Sequence, residues 1–137
     1  MQFDKKSKRV AEIEEMMNAK AFDGASLKLI KTGGVLHATE AALVLKANNL
    51  KMNLACKIAE TSLSGAATAA IGFALGEVSW GFSMSNQYLQ FDICDQALTA
   101  KQGHLDVAQL SGNGIGITPQ EARVKEAMAS GYSPIQC

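Results

Sequence analysis

The sequence predicts an all-α chain: a long central helix or helical hairpin with short terminal helices, oligomeric in use. Three observations carry this. The 137 residues are 47% apolar, enough for the core of one domain. Prolines occur only at 119 and 134, so no proline breaks a helix before the C-terminal region. Aromatics make up 6%, and helix formers outweigh the β-branched and aromatic residues that sheets favour.

Thirteen basic residues balance thirteen acidic ones, which argues against binding nucleic acid by general phosphate neutralisation. Cys56, Cys94 and Cys137 are odd in number, widely spaced and without a CxxC pair, which fits reduced thiols. The basic start, Met1 to Arg9, is followed by a glutamate-rich stretch. No apolar core of a secretory signal follows, so cytoplasmic synthesis is expected.

The first helix is expected over Asp4 to Ala21, with Val10, Ile13 and Met17 on one stripe. Its lysines precede its glutamates, against the helix dipole, so it needs a packing partner. Asp23-Gly24 marks a break. Beyond it Leu36, Leu43, Leu50, Leu54 and Ile58 recur at spacings of seven or four, a coiled-coil-like stripe for helix packing. Gly33-Gly34 interrupts the pattern locally.

Between Thr61 and Phe91 the sole charged residue is Glu77. An apolar small-residue helix is expected at about 62–84. Gly65, Ala66, Ala69, Ala70, Gly72 and Gly76 form its contact face for other copies. After a loose stretch at Gly81 to Asn86, a hairpin partner follows, with Tyr88, Phe91, Cys94, Leu98 and Leu105 on its stripe. It should end near Leu110. The expected organisation is a helical domain over 1–111, a glycine linker over 112–117, and a capped helix with tail over 118–137. Thr118-Pro119-Gln120-Glu121 reads as a capping box opening a helix to Ala129, with Gly131 and Pro134 ending it.

Chemistry-bearing patterns are thin. His37 and Glu40 make at best half of a metal site, and Asp92 and Asp95 read as a solvated helix face, with Cys94 and His104 near them in sequence. Gly112-Asn113-Gly114-Ile115-Gly116 is neither a dinucleotide fingerprint nor a P-loop. No serine sits in a GxSxG elbow, and Cys56 and Cys94 fall among apolar positions. No catalytic, cofactor-binding or metal residue is assigned, no cofactor is expected, and the chain reads as no enzyme.

The charged opening helix, the alanine-glycine stretch Leu63 to Phe82 and the glycine run Gly112 to Gly116 give the chain a layout that resembles small internal virion proteins of short-tailed phages, the ejection proteins. The resemblance implies a non-enzymatic structural protein, self-associated into a ring or tube that contacts or crosses a membrane, in the virion or in the host envelope after delivery. It implies homo-oligomers, other proteins of the same assembly, contact with a lipid bilayer, and DNA as passing cargo without sequence-specific binding. The alternatives are a soluble helical-bundle adaptor or chaperone-like module and a secretion-system translocator.

Overall fold

The computed structural model describes residues 2–3, 10–19 and 22–128. Its described elements alternate strand and helix. They run β1 (Gln2–Phe3), α1 (Val10–Asn18), β2 (Gly24–Leu27), α2 (Leu29–Thr32), α3 (Val35–Ala47), β3 (Lys51–Ala55), α4 (Ser62–Leu75), β4 (Phe82–Ser83) and α5 (Glu121–Ala127). Short 3₁₀ turns lie at Asn86–Tyr88 and Val107–Leu110. The fold is therefore α/β, and the all-α expectation is corrected.

The described strands form one parallel sheet in chain order, β1-β2-β3-β4. Neighbours are added in chain order, without the reversal of a doubly wound sheet. Gly24 pairs with Lys51 and Leu27 with Leu54, while Leu54 pairs with Phe82 and Ala55 with Ser83. Paired residues share a face. Ala25, Leu27, Met52 and Leu54 therefore meet Ala38, Ala41, Ala42 and Leu45 of α3 and Ile71 and Leu75 of α4 in one core. Gly24, Ser26, Lys51, Asn53, Ala55 and Ser83 take the opposite face.

The leucine stripe is cut by turns. Gly33 and Gly34, at φ 94° and 112°, separate α2 from α3, and Asn49, at φ 55°, turns the chain into β3. Leu36 and Ile58 are 78% and 86% exposed, and Leu43 and Tyr88 are also exposed, so these four do not pack a helical core. Leu54 is buried in a strand, Leu98 is buried in irregular chain, and Leu50 and Phe91 are half-buried.

Helix α4 starts where expected and is shorter. Its 14 residues span about 21 Å, less than the roughly 30 Å of a bilayer core. No described helix is long and apolar enough to cross a membrane. Its small residues serve the chain's own packing. Ala66 and Ala69 are buried, and a Cβ on Gly65 or Gly72 would lie 3.3 Å from Leu98 or Leu54. Ala70 is half-buried. Gly76, at φ 77°, caps the helix rather than continuing a face.

The expected hairpin partner is irregular chain instead. The capping box does not form: Gln120 is the N-cap of α5, its N–H donates to Ile93 O at 2.9 Å, and Pro119 pairs with Cys94. Gly112 to Gly116 is a tight turn closed by Gly116 N–H to Asn113 O at 3.1 Å. The expected starts and ends at 4–9, 20–21 and 129–137 lie outside the described residues.

Candidate active site

In parallel α/β folds, functional groups gather at the carboxyl ends of the strands. The rim here begins with Lys28. Its φ of −128° and ψ of 127° are extended, so it continues β2 beyond Leu27. Alternation puts it on the face of Gly24 and Ser26. The register then places Lys28 beside Ala55, and Ala55 beside Ser83. Lys28 is half-buried. Its carbonyl accepts the N–H groups of Lys31 and Thr32, both at 2.9 Å, and the Thr32 hydroxyl at 3.1 Å. The first turn of α2 thus clamps the backbone of Lys28.

One layer below the rim lies a buried polar cross-tie. Ser26 Oγ donates to Asn53 Oδ1 at 2.9 Å, and Asn53 Nδ2 donates to Gly81 O at 2.7 Å and Ser83 Oγ at 3.2 Å. Three strands are joined through one side chain. In the layer beneath, Gly24 leaves no room for a side chain, since a Cβ would collide with the Lys51 carbonyl and lie 2.8 Å from Trp80.

Beyond β3, Glu60 Oε2 accepts the Ser64 hydroxyl at 2.6 Å, while Oε1 is buried without a partner. Glu60 and Ser64 line a cleft of about 440 Å³ with Leu29, Ile30, Gly33 and Gly34. Burial, and then the nearby Glu60 charge, push the Cys56 thiol up to about 11, so it is an inert core group.

Asp92 is no solvated face residue. Its Oδ2 accepts the hydroxyl and N–H of Ser62 at 2.7 and 2.9 Å, and its Oδ1 accepts Cys94 N–H at 3.0 Å. Burial alone would raise its pKa, but these hydrogen bonds outweigh it and hold the carboxyl below its ordinary value. Cys94 is raised, by burial first and by Asp92 second. Arg123 bonds Asp95 Oδ1 and Asp92 O and stacks over Phe91, which docks α5. His37, Glu40 and His104 are exposed. Among the described residues no three His, Cys, Asp or Glu side chains group to hold a metal ion.

The enolase C-terminal domain-like family matches residues 3–123. The chain belongs to that family. The expectations of a phage ejection protein, a non-enzymatic structural role and a virion address are thereby overturned. Solved structures with this fold include 2-chloromuconate cycloisomerase from Rhodococcus opacus, at 24% identity and TM-score 0.83, covering 91% of this chain and 33% of that one. Muconate lactonizing enzyme from Pseudomonas fluorescens, solved with muconolactone, shares 21% identity at TM-score 0.83, over 91% of this chain and 33% of that one. The dipeptide epimerase from Cytophaga hutchinsonii, solved with Mg and the dipeptide D-Ala-L-Val, shares 16% at TM-score 0.80, over 91% and 33%. The chain spans about a third of the length of these structures. A comparison with curated proteins finds no match.

Sequence reasoning missed Lys28, Glu60 and Ser83. The signal for Lys28 was present: a lysine closing the short uncharged run Gly24 to Leu27, ahead of a double glycine.

Proposed function

We propose that this chain supplies the proton-transferring lysine of an enolase-type isomerase or racemase, and that the lysine is Lys28. Enolase-superfamily sites use a lysine or histidine base to take the proton next to a carboxylate, and one or two Mg²⁺ ions stabilise the resulting ene-diolate. The carrying observation is the place of Lys28, on the face away from the helices at the carboxyl end of a parallel strand, its carbonyl clamped by three donors. His37 and His104 are exposed and neither ends a strand. The amine of Lys28 takes the α-proton, the C–H electrons move toward the carboxylate, and the ammonium returns a proton to carbon.

The described residues do not make the metal site. Asp92 is held by Ser62 and Cys94, and among the described residues Glu60 belongs to no group of three His, Cys, Asp or Glu side chains. The role assigned to this chain is accordingly proton transfer alone. The ligands solved with two of the structures above suggest a test panel of D-Ala-L-Val and muconolactone. Incorporation of solvent deuterium next to the carboxylate, followed by proton NMR, reads the step directly. Lys28→Ala should abolish exchange and Lys28→Arg should not restore it. Exchange that survives Lys28→Ala would remove the lysine from the chemistry.

A further inference from the structure

We infer that Ser83 is a substrate-binding residue, its hydroxyl set by Asn53 to donate to an anionic oxygen of the molecule on which Lys28 acts. This rests on the proton-transfer reading above. The amide of Asn53 has one orientation that satisfies its neighbours. Its oxygen accepts Ser26 Oγ at 2.9 Å, and its nitrogen faces the Gly81 carbonyl at 2.7 Å. A flipped amide would set two oxygens against each other there. The nitrogen therefore also donates to Ser83 Oγ, at 3.2 Å. The reverse arrangement, Ser83 donating to Asn53 Oδ1, is stretched to 3.5 Å and competes with Ser26.

A serine hydroxyl has one proton. With Asn53 giving rather than receiving, that proton is left for a partner outside the cross-tie. Ser26 and Asn53 are each 7% exposed, whereas Ser83 is exposed, so the donor faces the open rim. Lys28 and Ser83 stand on strands two apart, so their backbones are about 10 Å from each other. Ala55, itself buried, stands between them on the same row. A cation on one strand and a neutral donor two strands away fit the two ends of a small molecule carrying a carboxylate. Asn53 is the positioning residue, since it acts through Ser83.

The test uses oxalate as the probe, titrated into the ¹⁵N-labelled chain and followed by amide shifts around residues 28 and 83. Circular dichroism checks the fold of each variant. Ser83→Ala should weaken oxalate binding about tenfold, the loss of one hydrogen bond to a charged acceptor. Ser83→Thr, which keeps the hydroxyl, should retain it. Asn53→Asp keeps an acceptor for Ser26 but turns the Ser83 proton inward, so it should match Ser83→Ala. Adding Ser83→Ala to Asn53→Asp should then cost nothing more. Full additivity would reduce the aspartate effect to plain charge repulsion and overturn the role of Asn53. Undiminished binding in Ser83→Ala, or no binding by the wild-type chain, would overturn the inference. Undiminished binding in Lys28→Ala would instead overturn the proton-transfer reading.

Discussion

Replacing Asp92 with alanine should be among the most damaging single changes to this chain. The carboxylate accepts three hydrogen bonds within a buried site: two from Ser62, at the start of α4, and one from Cys94. Asn86 Nδ2 and the N–H of Leu98 in turn donate to Ser62 Oγ, at 3.0 and 2.9 Å. Bonds to a charged acceptor are worth roughly 1.5–3 kcal/mol each, and removing one partner of a buried charged network costs roughly 3–5 kcal/mol. The expected loss is about 4 kcal/mol, against a total of roughly 5–15 kcal/mol for a domain. Urea unfolding followed by circular dichroism should show a lower midpoint at unchanged slope. Asp92→Asn keeps one acceptor and should lose about half as much. Asp95→Ala, which breaks the exposed pair with Arg123, should lose under about 1 kcal/mol. A loss under about 1 kcal/mol in Asp92→Ala would refute the reasoning, because the network would then contribute no more than a surface pair.

The same carboxyl gives a pH dependence. Its folded pKa lies below the ordinary 3.8, so its contribution is present above that value and is lost as pH falls through the folded one; acid titration of stability should flatten there in Asp92→Asn. Gly24→Ala drives a Cβ into the Lys51 carbonyl and against Trp80, and should lose about 3 kcal/mol in the same urea assay. Lys46 Nζ donates to Leu75 O at 2.7 Å, at the C-terminal end of α4, so Lys46→Ala should lower stability by about 0.5–1 kcal/mol, and less at high salt. Cys56, buried and raised to about 11, should resist iodoacetamide at pH 8 in the folded chain and react at least about a hundredfold faster in denaturant.

Helical periodicity was legible where it was real. Val10, Ile13 and Met17 do mark α1, whose Ile13 is buried and whose Met17 packs on the core. Ser62 does open α4. The strands were not legible, for a physical reason. Gly24 to Leu27 is buried at every residue and Lys51 to Ala55 at all but the first. A strand covered on both faces shows no alternation, and a short apolar run next to helices then reads as more helix. Leu50 and Leu54 extended the stripe by accident of spacing, although a turn and a strand separate them from α3. The site was hidden for the same reason. Nothing in the helical spacing singles out Lys28, and only its extended backbone brings it onto a row with Ala55 and Ser83. Asp92 was misread because the segment after β4 has no repeating backbone. Its order comes from side-chain bonds that no periodicity encodes.

The chain-order sheet has one more consequence. Lys28, Ala55 and Ser83 are each delivered by a different strand, and each is followed by its own excursion out of the sheet. Lengthening or exchanging one excursion leaves the other two residues where their strands put them. What sits above the row can thus diversify piece by piece, while the spacing between amine and hydroxyl stays fixed by strand-to-strand bonding. A lineage built on this plan can change what surrounds the row without moving the row itself.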